Sequence, residues 1–215
     1  MLSITLIIII LTALVSLQSF SNARMKERLI FHPYTIARED QYYRFLTHGF
    51  IHANWEHLLI NMYVLYIFGE FLEAAFKSIF PSPYGPLVFL FVYLTAIVVS
   101  SLPSYFKHRE DPYYGALGAS GATSAMVFGF ILFNPWEWFL FPPLPAILFG
   151  LAYLWYSNYM GRRSMDNIGH DAHFWGALYG LVATLLSVYY LQPGVLRYFW
   201  DRLLEGPDLP GILGG

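Results

Sequence analysis

An all-α membrane bundle of six helices is the fold class this sequence predicts, and three observations predict it. Of the 215 residues, 57% are hydrophobic and only 12% are charged, whereas a soluble domain carries about 25% charged residues. The apolar residues gather into six stretches near the length of roughly 17–25 residues that a helix needs to cross a bilayer. Aromatic residues make up 20% of the chain, with 17 Tyr and 6 Trp, a composition suited to rings lining the membrane–water interfaces. A net charge of −2 leaves no basic footprint for nucleic acid. The absence of cysteine excludes disulfides and thiolate metal sites.

The first stretch, residues 2–20, contains no charge. It lacks the positive segment that opens a signal peptide, so it is expected to be a retained span. The second and third stretches run over residues 55–76 and 86–105. The fourth and fifth, residues 117–133 and 144–160, are short and suit helices buried among neighbours. The sixth runs over residues 171–191. Most connections are short, so residues 1–215 are expected to form one domain. Residues 21–54 form a long connection that mixes Arg24, Lys26, Arg28, Arg38 and Arg44 with Phe31, Tyr34, Tyr42, Tyr43 and Phe50. That composition suits an ordered, half-submerged interfacial loop. In the tail, residues 193–215, the segment "VLRYFWDRLLE" reads as an amphipathic helix lying on the membrane.

Helix parity carries the functional reading. Stretches two, four and six begin on the same side of the membrane. His57 and Asn61 stand near the start of the second, Ser120 near the start of the fourth, and His173 near the start of the sixth. All four therefore fall at similar depth, a little below one surface. A serine becomes a nucleophile when a base within hydrogen-bond reach takes its proton. A buried imidazole stays neutral, as a base requires. His57 and Asn61, spaced i, i+4, share a face and can both donate to a developing oxyanion, as can the N–H of Ser120. Taken singly, each has a plainer reading. A lone membrane serine bridges helices or bonds back to its i−4 carbonyl, and a lone Asn packs. Their coincidence at one depth is the signal.

The glycines serve close approach. His173, Gly176 and Gly180 lie on one face, and Gly118, Gly121 and Ala122 offer the partner surface. Such small-residue pairs let backbones nearly touch, which a base needs if it is to reach a short serine side chain. "GASGA" around Ser120 is not the elbow of soluble hydrolases: its last position is Ala122 and no strand precedes it.

The ordered set "HLLIN" (residues 57–61), "GASGA" and "AHFWGALYG" resembles the rhomboid intramembrane serine proteases over essentially the whole chain. Tyr43, Arg44, His48 and His52 in "YYRFLTHGFIH" and Glu73 in "FGEFLE" add to the resemblance. It implies a six-transmembrane rhomboid-like bundle with Ser120 as nucleophile and His173 as base, a dyad with no obligatory acid. His57 and Asn61 would form the oxyanion hole, and Arg44 would be a structural loop residue. Substrates would be membrane proteins cleaved in a locally unstable transmembrane segment. They would enter sideways past the fifth span, with residues 161–169 over the site. No metal or cofactor is expected, and membrane lipids are the surroundings.

Two features depart from the family pattern. Ser124 stands where many relatives carry an aromatic ring that packs on the histidine, which leaves His170, Asp171 and Asp166 as nearby groups to orient His173. These three read more simply as solvated loop residues. The family's inside amino terminus also places residues 21–54, 106–116 and 161–170 outside, with nine of the twelve Lys and Arg, against the positive-inside rule. Two alternatives stand beside the protease reading: a non-catalytic rhomboid-like binder of membrane clients, and a metalloenzyme ligated by His48, His52, His57 and Glu56 or by His170 and His173. The small size leans towards a bacterial inner membrane.

Overall fold

The computed structural model describes residues 2–140, 142–163 and 169–207, with residues 162 and 163 described by backbone alone. The chain begins with α1 (Ile4–Ser21), whose N-cap Ser3 accepts a hydrogen bond from the Leu6 N–H at 3.1 Å. The inward face of α1 carries Thr5, Ile8, Thr12, Ser16 and Ser19, while Ile7, Leu11 and Leu14 point out. In water the polar face would be outermost. Here hydroxyls pack inward and leucines outward, the pattern of a helix surrounded by lipid.

Residues 21–54 fold into short helices: α2 (Ala23–Leu29), α3 (Pro33–Glu39) and α4 (Arg44–Thr47), followed by a 3₁₀ turn at His48–Phe50. Phe31, Ile36 and Ile51 are buried beneath them, while Tyr42 and Tyr43 stay exposed. Arg44 knits this region together. Its guanidinium donates to the carbonyls of Glu27 (2.7 Å) and Ile30 (2.9 Å) and to Gln41 Oε1 (2.7 Å).

Next, α5 (Trp55–Val64) continues through a π turn at Leu65–Gly69 into α6 (Glu70–Ile79), one helix of 25 residues. At its far end, buried Glu73 caps α1 by accepting from Ile4 N (3.0 Å), Thr5 N (2.8 Å) and Thr5 Oγ1 (2.8 Å). This carboxylate satisfies amides that a helix start leaves open, and it pairs with Lys77 at 2.6 Å. Then follow α7 (Tyr84–His108), α8 (Ser120–Phe133), a hairpin pairing Trp138–Phe139 with Leu144–Pro145, α9 (Ala146–Arg163), α10 (His170–Tyr189) and α11 (Val195–Glu205). Trp136 Nε1 donates to the Leu203 carbonyl at 3.1 Å and holds α11 against the end of α8.

Among the described residues, four helices are long and apolar enough to cross a membrane: α1, the continuous α5–α6, α7 and α10. The other two predicted spans are also helices. However, α8 has only 14 residues and α9 is more polar, so neither meets that measure. Helix α8 is the centre of the bundle, with residues 121–129 all buried between α7, α10 and the π turn of the second span. Its surroundings explain its run of small residues: bulky side chains would push these neighbours away.

Candidate active site

Four elements converge at the head of α8. The segment before it, residues 115–119, is not helical: Ala116 makes a strand-like bridge and residues 118 and 119 bend, so the helix starts at Ser120 and not at Leu117, where the apolar run begins. Backbone bonds from the 21–54 region hold this segment. Phe31 and Ala116 exchange N–H···O bonds of 2.9 and 3.0 Å, and Gly118 N donates to His48 O at 2.9 Å. The isolated bridge is a strand-like contact ahead of the serine that the sequence did not predict.

His52 continues this hold with its side chain. Ala119 N–H donates to His52 Nε2 at 3.3 Å, which fixes Nδ1 as the protonated nitrogen. Nδ1–H then donates to Ser16 Oγ at 2.9 Å, and the Ser16 hydroxyl donates to Phe50 O at 3.0 Å. The imidazole must therefore be neutral, since a proton on Nε2 would oppose the Ala119 N–H. Burial agrees, lowering the His52 pKa to about 3, with neighbouring His57 adding to the effect. Burial likewise lowers His48 to about 4.

Gly118 has φ of +116°, a conformation that side-chain-bearing residues avoid. A Cβ there would also lie 2.5 Å from His57 Cε1. This glycine therefore does not pack α8 against α10, as its place in the small-residue run suggested. It sits before the helix and makes room for His57. Asn61, one turn further along α5, donates from Nδ2 to the His57 carbonyl at 2.8 Å and accepts from Thr123 Oγ1 at 3.1 Å. Thr123 was not singled out in the sequence. It links α8 to the Asn61 amide.

The α8–α10 seam follows the predicted glycine logic. A Cβ on Gly176 would fall inside the contact distance of the Gly121 carbonyl oxygen, and one on Gly180 would do so with the Ala125 carbonyl. Gly180 thus meets Ala125 rather than Ala122. The two contacts advance together along both chains, so the helices run parallel. Residue 173, one turn before Gly176, is level with the head of α8. Gly121 is also pressed from α7, where a Cβ would meet Ser100 Cβ at 2.7 Å.

Of the groups expected near His173, His170 is there, buried on α10 and not a solvated loop residue, and a ring from α9 joins it. Tyr153 of α9 stacks on the imidazole with centroids 6.0 Å apart and planes 21° apart. The Tyr153 hydroxyl lies 2.6 Å from Ser124 Oγ. His170 meets His173 edge-on at 5.9 Å. Asp171 instead pairs with Lys107 at 3.0 Å, and Lys107 also donates to the Gly161 carbonyl at 3.3 Å. Asp166 and most of the loop expected to cover the site (residues 164–168) lie outside the described residues. No three His, Asp or Glu side chains converge on a shared ligand position among the described residues, so the geometry adds nothing to the metal-ligand alternative.

Together these elements define a class: a helical membrane protein whose buried central helix, α8, meets α10 through glycine backbone, with polar side chains from α5, α9 and α10 gathered near its head. Comparison with known proteins gives the family. A family model for the Rhomboid domain matches residues 39–190, and the chain belongs to the rhomboid family. It is similar to rhomboid-like protein 11, chloroplastic, of Arabidopsis thaliana, with 29% identity over 157 residues, 67% of this chain and 52% of that protein. It is also similar to rhomboid-related protein 1 of Caenorhabditis elegans, with 29% identity over 154 residues, 68% of this chain and 40% of that protein. The chain thus spans about half, or less, of the curated relatives it matches.

Proposed function

We propose that this chain is an intramembrane serine endopeptidase that crosses the bilayer six times and cleaves transmembrane segments of other proteins. Family membership supports the class of protein. The observation that carries the chemistry is the parallel, glycine-walled seam that sets residue 173 of α10 beside the head of α8, where Ser120 stands.

In this reading His173 takes the Ser120 proton as Oγ attacks the scissile carbonyl carbon. The carbonyl electrons move onto oxygen, and the oxyanion receives hydrogen bonds from the Ser120 N–H, the His57 imidazole and the second Nδ2 hydrogen of Asn61. His173 then gives the proton to the departing amine. Water, activated by the same imidazole, releases the acyl group from Ser120. None of these steps calls for a metal or cofactor.

Helix α8 fits this task by being short. Fourteen residues span about 21 Å of a hydrocarbon core roughly 30 Å thick. A helix seated at one surface therefore starts about 9 Å short of the other, and Ser120 lies at the base of that recess. The two less apolar or shorter helices count as spans here, α8 because protein surrounds it and leaves little of it for lipid, and α9 because its exposed side chains are mostly Leu and aromatic residues. The amino terminus is assigned to the inside. Arg44, Arg38 (paired with Glu110 at 2.9 Å) and Lys107 are engaged within the protein, which reduces the force of the opposing charge bias. The relatives above come from a plant and a nematode and lend nothing to the expectation of a bacterial inner membrane.

The test is cleavage of a reporter containing one membrane span. Ser120→Ala and His173→Ala each abolish cleavage while leaving the protein folded. If both variants cleave like the wild type, the endopeptidase reading fails. If the wild type itself never cleaves but still captures membrane clients, a non-catalytic role replaces it.

A further inference from the structure

Helix α9 lies at the edge of the bundle. Leu148, Leu151, Trp155 and Tyr159 on it are exposed. Phe149 and Tyr153, spaced i, i+4, are aligned on its inner side, with Tyr156, itself exposed, at the margin of that side. Phe149 stacks on Tyr153 at 5.8 Å and 27°, Tyr153 stacks on His173 at 6.0 Å and 21°, and Tyr156 meets His170 edge-on at 5.5 Å. Phe128 of α8 closes on Tyr153 at 6.0 Å. The hydroxyl of Tyr153 reaches Ser124 Oγ at 2.6 Å, one turn after Ser120 on α8.

From this arrangement we infer that Tyr153 is a positioning residue for the His173 imidazole, held in place by Ser124, and that the alignment of the base therefore depends on α9 being docked. The inference rests on the reading of Ser120 and His173 as a dyad. An offset stack fixes the plane of the smaller ring, since tilting it gives up contact with the larger one. The hydrogen bond to Ser124 fixes the larger ring in turn, because it ties the phenol to the helix that bears the nucleophile. Three helices thus meet at one ring: α8 through Ser124, α9 through the backbone of Tyr153, and α10 through His173. If α9 swings away from α8 and α10, the ring leaves with it and the imidazole loses its flat support. A substrate helix that entered by displacing α9 would meet a misaligned base until α9 returned. The serine at position 124 is then a hydrogen-bond partner for a ring supplied by another helix, and its small size leaves space for that ring.

The experiment compares Tyr153→Phe with Tyr153→Leu in detergent, using the single-span reporter and measuring kcat and KM separately. Phenylalanine keeps the flat face and loses one neutral hydrogen bond, so kcat stays within about fivefold of the wild type. Leucine keeps apolar volume but offers no plane. There kcat falls about 100-fold, the scale of a misplaced catalytic group, while KM and melting temperature stay close to those of the Phe variant. Equal kcat values for the Phe and Leu variants overturn the inference, as does a loss in the Leu variant confined to KM. Ser120→Ala run in parallel separates the two readings. If the wild-type rate does not depend on Ser120, the dyad fails. If it does and the two Tyr153 variants match, only the positioning role fails.

Discussion

Helix α10 meets α8 backbone to backbone, whereas α9 meets the same pair ring to ring. The first contact is made by Gly176 on Gly121 and Gly180 on Ala125. It has no slack, because no side chain stands between the carbonyls and the facing glycines. The second contact is made by Phe149, Tyr153 and Tyr156, with hydroxyl and edge contacts that can be broken and remade one at a time. The difference teaches how, in the proposed protease, one bundle would fix the head of α8 against α10 and still leave a side-chain contact that a substrate could displace. The α8–α10 seam leaves no room for a side chain at Gly176 or Gly180, whereas α9 touches the pair only through side chains.

Widening the rigid seam gives the largest effect. Gly176→Val places a branched side chain against the Gly121 carbonyl. Overpacking of this kind costs about 1–3 kcal/mol of stability, and a shift of the base costs about 100-fold or more in rate. Reporter cleavage at a temperature where the variant remains folded checks this. Wild-type activity in the Val variant means that the glycine seam does not set the geometry.

Below that come the proposed donors on α5. His57→Ala and Asn61→Ala each slow the chemical step by about 100-fold, close to 3 kcal/mol, with less effect on KM. If Asn61→Ala matches the wild type while His57→Ala is inactive, His57 acts through its packing on Gly118 and not as a donor.

Next is the frame that holds residues 115–119. Arg44→Ala leaves the Glu27 and Ile30 carbonyls without their donor and lowers stability by about 3 kcal/mol, the scale of lost charge-assisted bonds. Thermal melting in detergent reads this directly, and an unchanged midpoint removes Arg44 from the frame.

The most gradual effect is with pH. His48 and His52 are held neutral in the fold, with pKa values lowered to about 4 and about 3, while an unfolded histidine titrates near 6.5. Between those values the unfolded chain binds more protons, so stability rises with pH across this window. The contribution is complete above about pH 6.5 and is lost progressively as pH falls towards 4 and then 3. Melting temperature followed from pH 7 to pH 4 should fall, and the slope should flatten in His52→Asn. A wild-type midpoint that is flat over that range contradicts the neutral, hydrogen-bonded His52.

Much of the architecture could be read from residue pattern. The apolar stretches mark the helices, and "VLRYFWDRLLE" matches α11 (Val195–Glu205). The short helices of residues 21–54 were not legible, since seven- and four-residue turns carry too little period to stand out among charges and rings. The apolar run does not mark the start of α8, because the left-handed backbone at Gly118 is set by partners far away in sequence: His48, His52 and His57. The π turn in the second span left no residue signature at all. At the site, parity predicted a common depth for His57, Asn61, Ser120 and His173, because it needs only helix order. Tyr153 escaped that logic. It sits midway along α9, away from the helix starts that parity compares, and only folding brings its ring to His173.

The most direct test of the central claim is covalent labelling of Ser120 by a serine-directed phosphonate in detergent, followed by mapping of the modified residue. The account predicts that the wild type is labelled at Ser120, that Ser120→Ala is not labelled, and that His173→Ala loses labelling although it keeps the serine. Labelling that persists in His173→Ala, or that maps to another residue, would contradict it.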